Sequence, residues 1–221
     1  MDRRPLHAWR LASLLAVTAA TVAVSRCAAD RGPEEPPAWS AELPGRVVYT
    51  APGASGVAAV HRVDATGQND EQLFENHDET NANALYPRWD DGGRRIRFTA
   101  MAGGVWTGFE MDEHGADARP APSDDFQLLA SVALDDDLQV DGDAIFAATP
   151  GGGRELVHRE SDDDGAARRH ISQVAWGPAR AWLIFQACDD ERDRCDVRIA
   201  RRGADEPSFR VARGRHPSWT W

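Results

Sequence analysis

Tyr86-Pro-Arg-Trp-Asp-Asp-Gly-Gly-Arg-Arg-Ile-Arg-Phe-Thr99, with Phe109-Glu-Met-Asp-Glu-His-Gly115 after it, decides the fold. Residues 86–89 read as a short strand, and Asp90-Asp-Gly-Gly93 as a turn made of residues that tolerate positive φ. From Arg95 to Thr99 charged and apolar residues alternate, so Ile96 and Phe98 share one face of a strand while Arg95 and Arg97 share the other. Ala102-Gly-Gly104 turns the chain again, residues 105–112 make a third strand, and Glu113-His-Gly115 is a third turn before a weak edge strand. The stretch has no sustained 3.6-residue period, and short strands joined by tight turns describe one antiparallel sheet.

The same phrase occurs four times, as an apolar strand ending in an aromatic followed by Asp-x-x-Gly or a decayed form of it. The aromatics are Tyr49, Phe98, Phe146 and Phe185, and the glycines Gly67, Gly115, Gly165 and Gly203 follow at distances of 18, 17, 19 and 18 residues. Constant spacing with free variation between the anchors marks one supersecondary unit used repeatedly. Trp89, Trp176 and Trp219 recur at the same place in three units. With Phe98, Phe146 and Phe185 they are expected to pack between neighbouring units, because a residue type tied to a repeat position serves the repeat. The third copy is the weakest, with Val132-Ala-Leu-Asp-Asp-Asp137 standing where a Trp and a turn are expected.

The 178 residues from Pro44 to Trp221 divide into four units of ordinary length for a four-stranded propeller blade. The expected fold is all-β, a β-propeller of about four four-stranded blades. His216-Pro-Ser-Trp-Thr-Trp221 matches only the opening strand of a unit, and Arg46-Val-Val-Tyr49 is a second strand without its opener. Pairing of 218–221 beside 47–49 would complete that blade from both ends and protect its edges. The alternative is an open arc of four units, completed by dimerisation or by another chain.

The repeat resembles the WD-type propeller repeat of the TolB periplasmic proteins, whose pattern is similar to P-x-W-S-P-D-G-x-x-I-x-F-T followed by I-Y-x-M-D-x-D-G. The likeness runs from about Gly45 onward and is good in copies two and four. It implies an extracytoplasmic, non-catalytic propeller that holds a protein or peptide of the cell envelope. TolB proteins also carry an N-terminal α/β domain with no counterpart in this sequence, so their particular role does not transfer. A repeat shared by many propellers identifies a fold and not an activity.

Ahead of the repeats, Arg3, Arg4 and Arg10 precede fifteen uncharged residues, Leu11 to Ser25. A basic start and an apolar run of this length fit a secretory signal better than a membrane span, which needs about 20 residues. Residues 1–29 are therefore expected to be a signal peptide or signal anchor. Cys27 in Val24-Ser-Arg-Cys27 invites comparison with a lipid-anchor motif, against which Arg26 counts. Residues 30–44 read as a linker, since four prolines in fifteen residues exclude helix and central strand. The propeller is expected over 45–221, and contact with a membrane only through the N-terminal segment.

Charge narrows the partner classes. The chain carries 25 basic residues, all Arg, against 36 acidic ones, a net charge of −11, and such a surface repels a phosphate backbone. Nucleic acid is not an expected partner. Cys188 and Cys195 flank the hydrophilic Asp189-Asp-Glu-Arg-Asp-Arg194 between two strand-like runs, and across a hairpin they can approach to bridging distance in an oxidising compartment. A disulfide is the expectation. The spacing fits neither a Cys-x-x-Cys redox motif nor a zinc site.

No catalytic constellation is visible. Gly53-Ala-Ser-Gly56 has the wrong spacing for a nucleophile elbow, and no two histidines form a local ligand pair. His61 and His158 fall in third strands which a ring would bring nearer a central channel, and with Asp143 they are the candidates for a channel site. Asp135-Asp-Asp137 and Asp162-Asp-Asp164 offer hard oxygens suited to calcium, but neither has the loop pattern that makes such a site; no cofactor is expected. The leading reading is a non-catalytic envelope binding module. A small-ligand or sugar-binding protein or enzyme with its site in the channel, and a purely structural assembly module, are the alternatives.

Overall fold

The computed structural model describes residues 35–77, 82–121, 135–160, 169–189, 194–203 and 207–221. One compact unit spans Pro36–Trp221. The leader, Cys27 and the aspartates of 162–164 lie outside the described residues. Among the described residues no helix is long and apolar enough to cross a membrane. Packing begins ahead of Gly45: Ala38–Glu42 forms a 3-10 turn, Leu43 is buried, and the Trp39 ring sits 5.0 Å from Trp182 and 6.0 Å from Phe209. The second half of the expected linker is thus part of the folded body.

The strands group into four antiparallel sheets in sequence order. The first holds β1 (Arg46–Pro52), β2 (Ala58–Asp64) and β3 (Glu71–Phe74); the second β4 (Ala84–Asp90), β5 (Arg95–Ala102), β6 (Val105–Asp112) and β7 (Arg119–Pro120). The third holds β8 (Leu138–Asp141), β9 (Ala144–Ala148) and β10 (Arg154–Arg159). The fourth holds β11 (His170–Trp176), β12 (Trp182–Asp189), β13 (Arg194–Arg201) and β14 (Ser208–Arg213). The remaining strand, β15 (Arg215–Thr220), leaves the fourth sheet after the single residue Gly214 and joins the first beside β1. Its register sets Val47 opposite Trp219 and Val48 opposite Ser218, the pairing expected from the two half-units. The third sheet departs from expectation, with three strands among the described residues.

One turn accounts for the Asp-x-x-Gly phrase. The Asp64 and Asp112 N–H groups donate to the carbonyls of Gln68 and Ala116, while Gly67 and Gly115 N–H donate back to Asp64 and Asp112. The two glycines sit at φ of +80° and +82°, where a Cβ would meet the following carbonyl. The aspartate closes the turn, since Asp112 Oδ1 accepts from the N–H groups of His114 and Ala116 at 2.9 and 2.8 Å. The 53–57 and 149–153 hairpins repeat the backbone pattern without an aspartate.

Apolar residues of adjoining sheets fuse into three clusters. One joins the first and fourth sheets around Val47, Tyr49, Ile184, Ile199, Phe209 and Trp219. A second joins the third and fourth around Ile145, Val157, Trp176 and Phe185, and a third joins the first and second around Val48, Val60, Ile96 and Phe98. Opening strands abut across these seams, β15 against β4 and β11, and β11 against β8.

The repeat tryptophans lock the seams with hydrogen bonds as well as bulk. Trp89 donates its backbone N–H to Ser218 Oγ and its indole N–H to the Arg46 carbonyl, both at 3.1 Å. Trp176 donates the same two groups to Asp135 Oδ2 and Asp137 Oδ1 at 2.7 and 3.1 Å. Trp219 donates its indole N–H to the Pro44 carbonyl at 3.0 Å and leaves no room for a Cβ on Gly177. Phe98 and Phe185 are fully buried. Phe146 is not: it is half-buried and outside the clusters, with the Arg154 guanidinium 4.3 Å above its ring. Side chains alternate across a strand, and because Ile145 and Ala147 face the core, Phe146 must face away. The aromatic of the third copy is one residue out of frame.

Candidate functional site

A feature invisible in the repeat pattern sits three residues before each repeat tryptophan. There β4, β11 and β15 break register with their second strands, between Leu85 and Arg88, between Ser172 and Ala175, and opposite Val48 to Thr50. At each break one residue adopts the left-handed conformation, Tyr86 at φ 56°, Gln173 at 52° and His216 at 56°. None is glycine, so each conformation costs roughly 1–3 kcal/mol that surrounding packing must offset. A bulge re-aims a side chain, and here it does so at the edges where sheets meet. On the second strands, one residue after the aromatics Tyr49, Phe98 and Phe185, stand Thr50, Thr99 and Gln186, all polar and all buried.

Thr50, Tyr86, Gln186 and His216 meet in a polar layer across three sheets, and Thr99 and Gln173 hold the matching repeat positions. His216 Nδ1 lies 3.3 Å from Thr50 Oγ1, its backbone N–H donates to Gln186 Oε1 at 2.9 Å, and its ring packs on Tyr86 with centroids 4.0 Å apart. Gln186 Nε2 in turn donates to Ser172 Oγ at 3.3 Å and to Cys188 Sγ at 3.0 Å. Two buried polar atoms at those matching positions, Gln173 Oε1 and Thr99 Oγ1, have no hydrogen-bond partner. Burial, reinforced by the neighbouring Arg215 charge, pushes the His216 imidazole down to about 4. At neutral pH the layer is therefore uncharged and offers donors, acceptors and an aromatic face. That chemistry suits amides and hydroxyls and provides no activated nucleophile.

The channel candidates are not brought together. His61, on β2, lies 3.6 Å from Asp70 Oδ1 through Nδ1; Asp70 also accepts the Tyr49 hydroxyl at 2.6 Å. Burial of the Tyr49 phenol, with that bond, pushes its pKa up. His158, on β10, is fully buried in the third sheet with its ring 5.2 Å from Phe185. Asp143, in the turn between β8 and β9, pairs with Arg159 at 2.9 Å and lines a shallow surface cleft. The histidines sit on third strands, away from the opening strands that abut, so the expected channel site does not assemble from these three.

His158 belongs to a buried ionic network between the third and fourth sheets. Its Nε2 is 3.2 Å from Glu160 Oε2; Glu160 also pairs with Arg198 Nε at 2.9 Å and accepts the Ser208 hydroxyl at 2.6 Å. Asp196 beside it pairs with Arg169 at 2.8 Å. Burial pushes the Glu160 carboxyl up, but His158, Arg198 and Ser208 together outweigh it and hold it below the ordinary carboxylate value.

Cys188 and Cys195 face each other in the β12–β13 ladder with sulfurs 2.09 Å apart, the disulfide distance. Asp135 and Asp137 serve Trp176, and Asp137 also meets Arg180 at 2.8 Å. Among the described residues no cluster of three or more His, Cys, Asp or Glu is placed to hold a metal ion. The layer residues were within reach of a repeat alignment, since Tyr86, Gln173 and His216 share one offset from tryptophan and Thr50, Thr99 and Gln186 one offset from the aromatic. Nothing in their residue types announces a bulge.

No family model matches the chain, and no curated protein matches it. Among solved structures, TolB of Acinetobacter baumannii is similar over 80% of this chain and 66% of its own, at 11% identity and a TM-score of 0.35. A structure assigned to TolB of Agrobacterium tumefaciens is similar over 78% and 64%, at 14% identity and a TM-score of 0.29. The chain thus spans a little under two thirds of either. The four-sheet, repeated-turn architecture rests on the chain's own strand pairing, not on those superpositions.

Proposed function

We propose that the chain is an exported, non-catalytic β-propeller that holds a protein or peptide partner in the cell envelope through the opening-strand layer and the hairpins beside it. The observation carrying this reading is the set Tyr86, Gln173 and His216, three strained non-glycine residues at one repeat position. Backbone strain concentrates at functional sites, and buried polar atoms without partners beside it call for an explanation that a bound partner would supply. An uncharged layer of amides, hydroxyls and an aromatic pair suits the main chain of a peptide. In this reading the four sheets close into a four-bladed ring, with β15 as the strand that completes the first blade. The Cys188–Cys195 pair fits an oxidising compartment, attachment to a membrane would come only through the N-terminal segment, and the acidic balance disfavours nucleic acid.

The test is a pull-down from envelope extract with the full chain as bait, beside baits carrying Gln173→Ala or Tyr86→Ala. The expected result is a protein retained in moderate salt by the wild type and lost from both variants. Retention that ignores both substitutions would move the site elsewhere. A folded, monodisperse bait retaining nothing would end this reading and turn attention to small neutral ligands, measured by calorimetry against the same variants.

A further inference from the structure

One residue of β15 reaches several sheets at once. His216 touches all three sheets that meet at the layer: Thr50 of β1 through Nδ1, Tyr86 of β4 through its ring, and Gln186 of β12 through its backbone N–H. Two residues on, Ser218 accepts the Trp89 backbone N–H, and three residues on, Trp219 fills the space beside Gly177. Displacing His216 therefore removes contacts to the first, second and fourth sheets together. Among the described groups that His216 touches, Thr50 and Gln186 are neutral and only the Tyr86 phenol can ionise. The charged neighbour is Arg215 on the same strand, and it repels an imidazolium.

We propose that His216 makes β15 an acid-released latch, seated while the imidazole is neutral and freed from β1 when it takes up a proton. The sign follows from linkage. A histidine in an unseated strand titrates near the ordinary value of about 6.5, whereas the seated one is held down to about 4. Between those values the unseated strand binds a proton that the seated one refuses. Seating is thus complete above about pH 6.5 and weakens as pH falls toward 4, by at most about tenfold per pH unit. This holds whether or not the layer binds a peptide.

The test is hydrogen exchange on the full chain, corrected for intrinsic rates, from pH 7 to 4.5, comparing 215–220 with β13. In the wild type, 215–220 should lose protection on acidification ahead of β13, by at least about tenfold over the range. His216→Gln, uncharged throughout, should give a flat profile, and His114→Gln in an exposed turn should behave as wild type. The same acid loss in His216→Gln, or 215–220 and β13 opening together in the wild type, would overturn the latch. Should His216→Gln fail to fold, imidazole titration of the wild type by NMR decides: a strongly lowered value supports the latch, and an ordinary one overturns it.

Discussion

The second and third sheets follow one repeat pattern and are fastened differently. In the second, β4 carries the Tyr86 bulge, Trp89 fastens the seam to the first sheet, and Thr99 puts a hydroxyl into the core. In the third, β8 pairs with β9 in unbroken register, Val140 takes the tryptophan's place opposite Ile145, and an exposed Ala148 takes that of the buried polar residue. Bulge, tryptophan and polar residue are present together in three sheets and absent together from the third, which marks them as parts of one device. The third sheet meets the fourth through the Trp176 cluster, where its Asp135 and Asp137 accept the tryptophan's hydrogen bonds, and adds the Glu160–Arg198 network beside it. A seam can thus carry buried ions beside its packing, and the two fail differently.

The sharpest way to break the comparison is Glu160→Ala, which leaves the buried Arg198 with Asp196, at 3.9 Å, in place of its closer carboxylate. Urea unfolding should show a loss of about 3–5 kcal/mol; a loss below about 1 would mean that this seam does not rely on its ions. The same carboxylate gives the third sheet an acid limit. Its contribution is complete above the ordinary glutamate value of about 4.3 and disappears as pH falls through the lower folded value. Unfolding midpoints of wild type and Glu160→Gln should therefore converge on acidification, and parallel curves would refute the assignment.

Phe98→Ala should cost about 3–5 kcal/mol, as for other fully buried aromatics. Phe146→Ala, at the nominally matching place, should cost about 1 kcal/mol or less, because its ring faces away from the seam. Equal losses would restore Phe146 to the core and undo the frame shift. The smallest effect is expected at Thr99→Val, which removes a buried hydroxyl without a partner and should be neutral or stabilising by about 1 kcal/mol. A clear loss would mean that the hydroxyl is satisfied in solution.

The strands and turns were legible because their causes are local. Asp112 and Gly115 advertise a turn by residue type, and the Arg95–Phe98 alternation shows which face is buried. The β15–β1 pairing was legible because two half-units were complementary. Phe146 misled because spacing counts residues, while burial follows the face, and one residue of slippage reverses the face. The bulges stayed hidden because Tyr86, Gln173 and His216 are ordinary strand or loop residues whose left-handed backbone is imposed by the meeting of sheets. The Glu160–Arg198 pair stayed hidden because its partners are 38 residues apart in different repeats.

The pairing of Arg46 with Thr220 also sets an order of events. The first described strand waits for the last described one, so the first sheet stays one strand short while the strands between them are made. A loop of that length closes slowly, and in the interval β1 exposes a row of unpaired backbone groups to any other extended chain. A chain stalled or cut before Arg215 would keep that edge of β1 open.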